Sequence, residues 1–277
     1  MATPIAMSNW TAGDIAWDRF DPSLAGEDIV KLVKAASMVE YNARDYATYL
    51  GKVFEGDPEF QKLALEWAES EVQHGRTLGR WAQLADPDFD HERSFGRFRN
   101  GFQIPIDAER SVRGSRSGEL LARCVVETGT SSHYTAIREA TREPVLRELL
   151  TRIAADEWRH YRAFYELSKI YLEKDRLGLA GRLRVVAGRV AETQDDELAY
   201  AYYAANGSEG PFDRKRYSHA YARRAYPLYQ PYLVERICAM LFKVVGLRPH
   251  GRLSRFVARM GYRFLQGRAK RLAKQNA

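Results

Sequence analysis

The sequence predicts an all-α fold: a four-helix bundle with a long crossover between its second and third helices, followed by additional C-terminal helices. Three observations predict it. Apolar residues recur at helical spacing through much of residues 27–174. Glu-x-x-His occurs twice inside such segments, as Glu71-Val-Gln-His74 and Glu157-Trp-Arg-His160. A glutamate on an inward-facing phase, Glu40 or Glu127, precedes each copy by 31 or 30 residues, the span of one helix, a turn and part of the next. The chain reads as two similar helical hairpins.

Length and composition bound the rest. At 277 residues, 45% of them apolar and 29% charged, the chain suits one globular domain with an appendage. No run of eighteen uncharged apolar residues argues for a spanning helix, and Met1 to Met7 lacks the basic and apolar regions of a secretory signal. Cys124 and Cys238 are the only cysteines, which argues against a disulfide scaffold, a zinc ribbon or a rubredoxin-type iron site. The expected location is the cytoplasm, with peripheral attachment at the inner face of the membrane compatible with the charge pattern. Residues 211–277 carry 16 Lys/Arg against Asp213 and Glu235, whereas the remainder carries 27 basic and 34 acidic residues. So basic a tail, basic from about residue 211, is expected to meet an anion.

Residues 1–26 form an N-terminal arm, with Trp10, Trp17 and Phe20 expected to pack across the bundle. The first helix is expected from Glu27 to about Phe54, its acidic start suiting the helix dipole. Glu40 shares a face with Val33, Ala36 and Ala47, an odd place for a carboxylate without a cation. Asp57 and Pro58 stop and restart the chain as N-cap and first helical residue, and the second helix runs to about Ala85 with Trp67, Glu71, His74, Leu78 and Trp81 on one stripe. Residues 86–115 lack sustained periodicity and contain the basic-aromatic run Arg93 to Phe102, read as a surface crossover that lets the second and third helices run parallel.

The third helix spans about Ser117 to Thr141. Around Glu127 it turns small and polar, through Thr128, Gly129, Thr130, Ser131 and Ser132, against helix propensity. Close helix packing explains such a run; so does space for oxygen and substrate beside a metal, with the Thr130 hydroxyl at hand. Glu143-Pro144 starts the fourth helix, which reaches about Lys174. Asp156 stands where it can orient a ligand histidine, Trp158 and Tyr161 are expected in the core, and Asp45, Glu66, Glu69, Glu139 and Glu143 in solvent. Residues 175–277 form a helical extension, with one or two helices ending at Asn206-Gly207-Ser208 and a last helix carrying two adjoining stripes. Arg252, Arg255, Arg259 and Arg263 make one stripe; Leu253, Phe256, Val257, Met260 and Phe264 make the other. The apolar stripe either docks on the bundle or meets an anionic partner.

An i, i+3 spacing puts carboxylate and imidazole on one helix face. Two lone glutamates and two Glu-x-x-His motifs, all inward, form the ligand set of di-iron and di-manganese carboxylate bundles. Glu40, Glu71, His74, Glu127, Glu157 and His160 are thus the candidate ligands of two iron ions, with manganese as the alternative. Six donors are too many for tetrahedral zinc.

Over roughly residues 27–174 the layout resembles the ferritin-like superfamily. Ile153-Ala-Ala-Asp-Glu-x-x-His160, Glu71-x-x-His74-Gly75 and Glu127-x-x-Thr130 are similar to motifs of the soluble acyl-carrier-protein desaturases. The resemblance implies that Thr130 assists oxygen activation. Ser132-His133 falls one residue early for the Ser-His of that family, so no role passes to it. The function expected is a di-iron oxidase or monooxygenase that uses oxygen and external electrons to desaturate or hydroxylate an acyl-chain or lipid-like substrate. Iron oxidation or peroxide reduction in the manner of ferritin or rubrerythrin is the alternative, and a structural or membrane-docked adapter a third reading. The partners expected are an external electron donor (ferredoxin-like or a reductase) and, through residues 211–277, an acyl carrier protein or an anionic membrane surface. Nucleic acid is not expected, and a homodimer is compatible with the sequence.

Overall fold

The structure, a computed structural model, describes residues 7–192, 196–207 and 210–274, and all regular structure in them is helical. The first six residues of the N-terminal arm and Ser208, at the expected end of a helix, lie outside the described residues. The arm enters through three 3-10 turns, Ala12–Asp14, Trp17–Arg19 and Pro22–Leu24. Trp10 and Ile15 are buried, and Trp17 and Phe20 pack beside them.

The first expected helix is two. α1 (Glu27–Tyr41) stops at Asn42, whose backbone leaves helical geometry (φ −85°, ψ 3°), and α2 (Ala43–Val53) continues beyond it. An asparagine offers the backbone little helical preference, and the break has a packing consequence. Apolar residues of α1 join one buried cluster and those of α2 another. One straight helix of this pattern would not serve both.

Asp57 caps α3 (Pro58–Ala85) by accepting the Phe60 N–H at 3.0 Å, with Pro58 at the first position. The stretch expected to be irregular contains α4 (His91–Gly101). Asp90 caps it through the Arg93 N–H at 2.9 Å, and Phe98 anchors it, fully buried. Tertiary burial of this face overrides the weak helix propensity of Ser94, Gly96 and Asn100. α5 (Arg116–Ala140) and α6 (Pro144–Asp175) complete the second hairpin and pack along one another.

Two apolar clusters fix the directions of these helices. The first takes the C-terminal parts of α3 and α5 and the N-terminal part of α6, through Trp81, Ile137 and Leu149. The second takes the opposite ends, through Trp67, Leu121 and Phe164. Hence α3 and α5 run the same way, and the segment holding α4 carries the chain back along the bundle.

α7 (Leu179–Ala191), α8 (Asp196–Asn206), α9 (Arg214–Ala225) and α10 (Pro231–Val245) are not a separate layer. Ala201, Tyr202 and Tyr217 belong to the first cluster; Val186, Met240 and Val244 belong to the second. Only α11 (Arg252–Lys274) adds nothing to either, packing on α10 through Ala258 beside Val234 and Cys238.

Two expectations about single side chains fail. Glu143 is fully buried rather than solvated: it caps α6 by accepting Leu146 N–H at 2.7 Å and also accepts the Trp81 Nε1–H at 2.7 Å. A carboxylate at a helix N-terminus is favoured by the dipole, so burial is tolerated there. Trp158 is 43% exposed, stacked on the buried Tyr161 instead of entering the core.

Candidate metal centre

Between the two apolar clusters lies a polar knot. Glu40 comes from α1, Glu71 and His74 from α3, Glu127 from α5, and Glu157 and His160 from α6, and all six are buried. They divide into two overlapping groups. Glu40, Glu71, His74 and Glu157 form one; Glu71, Glu127, Glu157 and His160 form the other. Within each group the donor atoms lie within 4.8 Å of one another. Glu71 and Glu157, the glutamates of the two Glu-x-x-His motifs, belong to both groups. Each group adds one lone glutamate and one imidazole of its own.

Both imidazoles turn Nδ1 inward. His74 Nδ1 stands 2.8 Å from Glu71 Oε2 and 3.2 Å from Glu157 Oε1, and His160 Nδ1 stands 3.2 Å from Glu71 Oε1 and 3.6 Å from Glu127 Oε2. The outer nitrogens follow a reciprocal rule. His74 Nε2 meets Asp156 Oδ2 at 3.1 Å, and His160 Nε2 meets Ser70 Oγ at 3.2 Å. Each partner is the residue just before a motif glutamate, and each serves the histidine of the opposite motif. With Nδ1 given to a cation, Nε2 carries the proton and donates it outward. Asp156 is itself held by the Trp10 Nε1–H at 2.7 Å and by Arg159.

Burial and mutual repulsion shape the charge of this knot. Burial, reinforced by Glu71 and Glu157, pushes the Glu40 carboxyl well above its usual range, and burial lifts Glu127 to about 8. Burial also opposes charge on Glu71, yet the adjoining His160 and His74 hold it well below that range. Burial works against charging both histidines, but the carboxylates around them outweigh it and raise each to about 10. In the absence of metal, protons on imidazole and carboxyl must supply the positive charge. The bonding is incomplete even so: both Glu127 oxygens, Glu157 Oε1 and His160 Nδ1 are buried without a hydrogen-bond partner. Such orphaned atoms are costly unless something coordinates them. Carboxylate oxygens and imidazole suit iron or manganese, so the residues present fit a pair of such ions.

The small polar run of α5 divides in two. Thr128, Ser131 and Ser132 are buried, and Ser131 Oγ donates to the Ala154 carbonyl of α6 at 3.2 Å, which is close helix packing. Arg236 of α10 closes the same side, donating to Ser132 Oγ and Thr135 Oγ1 at 3.2 Å each. Gly129 and Thr130 are only partly buried; beside Gly129 a Cβ would meet nothing within 4 Å. Thr130 Oγ1 donates to Glu157 Oε2 at 2.5 Å. His133 takes no part in the knot, its Nε2 lying 3.3 Å from the Tyr221 hydroxyl.

Four residues at the site escape sequence reading as site residues. Trp10 is seen there only as a packing aromatic. Tyr134, whose hydroxyl donates to Glu40, lies seven residues after Glu127 on the same face of α5. Ser70 occupies the same register before Glu71 that Asp156 occupies before Glu157, which is a signal that could have found it. Arg236 carries no local signal. No protein-family model matches the chain, and no curated protein matches it significantly.

Proposed function

We propose that the chain is a ferritin-like, di-iron oxidoreductase that uses oxygen and external electrons to desaturate or hydroxylate an acyl-chain or lipid-like substrate. The observation that carries the reading is the overlap of two four-residue ligand groups at Glu71 and Glu157. Two shared carboxylates with one private carboxylate and one imidazole on each side are what a bridged metal pair requires. Manganese is the other metal this donor set accepts.

When bound, such a metal pair supplies oxygen activation and redox chemistry that no side chain here can provide. The residues supply position and exclusion. Asp156 and Ser70 hold the two Nε2–H groups, so both Nδ1 atoms stay aimed inward. Tyr134 fixes Glu40 through its hydroxyl, and Thr130 does the same for Glu157. Apolar clusters on both sides keep water from the centre. Gly129 and Thr130 are only partly buried and offer substrate an approach to the Glu157 side of the centre. A proton can be held or passed at Thr130 Oγ1, against Glu157. Electrons come from a separate donor, ferredoxin-like or a reductase.

The test is oxygen uptake by iron-loaded protein, with a competent reductant, across a panel of acyl-carrier-protein thioesters and phospholipids. Uptake matched by a desaturated or hydroxylated product supports the proposal. No coupled uptake across the panel contradicts it, and rapid peroxide reduction without organic substrate assigns the centre to rubrerythrin-like chemistry instead.

A further inference from the structure

α11 has three faces at 100° per residue, and one apolar face is left exposed among the described residues. Ser254, Ala258, Ala269 and Leu272 are buried, with Tyr262 and Leu265 beside them against α10. Across the helix, Leu253, Phe256, Val257, Met260 and Phe264 stand 59, 61, 40, 48 and 56% exposed. Their spacing of three, four, seven and eleven residues from Leu253 makes one continuous stripe. The third face holds Arg252, Arg255, Arg259 and Arg263, all exposed. Further along, Lys270, Arg271 and Lys274 are exposed as well. The helix contains eight Lys/Arg and no Asp or Glu.

Both alternatives left open by the sequence are now constrained. The apolar stripe does not dock on the bundle; the face of Ser254, Ala258, Tyr262 and Leu265 packs on α10 instead. Large apolar side chains left in water in a contiguous row mark an interaction surface. The charge beside them selects the partner. A second copy docking on the same face would bring two arginine rows together, with no carboxylate on either helix to offset them. Nucleic acid would use the arginines but has little use for Leu253, Val257 and Met260. No helix among the described residues is long and apolar enough to cross a membrane. A helix with a basic face adjoining a face of Phe, Leu, Val and Met lies in the plane of a bilayer surface, its apolar side chains among the acyl chains and its cations among anionic headgroups.

We infer that α11 docks the protein on anionic phospholipid membranes, with Leu253, Phe256, Val257, Met260 and Phe264 inserted at the interface and the flanking arginines on the headgroup phosphates. The inference stands on α11 alone and holds or fails independently of the metal centre.

Co-sedimentation of the full chain with lipid vesicles tests it. Vesicles of phosphatidylcholine containing phosphatidylglycerol are expected to bind the protein at least about tenfold better than phosphatidylcholine alone, with the preference lost in high salt. Phe256→Ser with Phe264→Ser is expected to weaken that binding about tenfold or more. Both positions face solvent, so circular dichroism and thermal midpoint stay unchanged; Arg255→Glu with Arg259→Glu serves as a second variant with the same expected loss. Equal binding by the phenylalanine variant, or no preference for phosphatidylglycerol, overturns the inference. Dimerisation in sedimentation velocity that the phenylalanine variant abolishes assigns the face to a second copy. Capture of poly-glutamate in place of vesicles, abolished by the same variant, assigns it to an acidic protein. Either result also overturns the membrane assignment.

Discussion

Gly75 lies against the backbone of Tyr41: a Cβ at Gly75 would stand 2.5 Å from Tyr41 N and 2.7 Å from its Cα. Each residue directly follows a candidate ligand, His74 on α3 and Glu40 on α1. The missing side chain therefore sets how closely α1 and α3 approach where both deliver donors to one point. Backbone cannot move aside as a flexible side chain can. Gly75→Ala is expected to cost about 1–3 kcal/mol by overpacking and to lower metal occupancy at the same time. Thermal unfolding and metal content of the purified variant check this; a variant with both unchanged contradicts it.

The reciprocal pairing of the outer nitrogens gives a graded expectation. Asp156→Asn removes the charge that holds His74 Nε2, and with it the anionic partner of Trp10 and Arg159. Metal affinity is expected to fall by about 10–100-fold. Ser70→Ala removes only a neutral hydroxyl from His160 and should cost less. Competition with a metal-binding dye measures both, and an Asp156→Asn protein with unchanged affinity contradicts the role given to that carboxylate.

Glu143 is structural, although it is a buried carboxylate in the same bundle. It caps α6 and accepts from Trp81, and it belongs to neither candidate ligand group. Glu143→Ala leaves an indole N–H and two helix N–H groups without their partner, at a cost of about 2–4 kcal/mol. Denaturant unfolding is expected to show that loss while metal stoichiometry stays at the wild-type value.

Proton linkage separates the metal-free protein from the loaded one. His74 and His160, raised to about 10, contribute stability that is complete below about pH 6.5 and is lost as pH rises through about 10. Glu127, raised to about 8, acts in the same direction, its contribution complete below about pH 4.5 and lost as pH rises through about 8. Chelated protein should therefore lose thermal stability between neutral and alkaline pH. Metal-loaded protein should not, because cations replace the protons, and metal uptake near neutrality should release protons. Melting curves with and without chelator across this range are the check; a chelated protein that gains stability there contradicts the account.

What was legible in the sequence depended on local geometry. Glu71–His74 and Glu157–His160 declared themselves because an i, i+3 pair shares a face whatever surrounds it. Glu40 and Glu127 followed from their phase against apolar neighbours. The break at Asn42, the helix through Phe98 and the burial of Glu143 depend on partners distant in sequence, and no periodicity encodes them. The same holds for the C-terminal helices: Tyr202 and Met240 complete cores begun more than a hundred residues earlier. The two stripes of α11 were readable as stripes. That both of them face solvent was not, because the helix packs on α10 through a third face that includes Ser254 and Ala258.

The most direct test of the metal pair is a crystal structure of iron-loaded protein with anomalous maps collected at the iron edge. Two peaks about 3.5–4 Å apart, with Glu71 and Glu157 between them and one histidine Nδ1 on each, are the predicted result. A single peak, or none at these six side chains while surface carboxylates hold the iron, would contradict it.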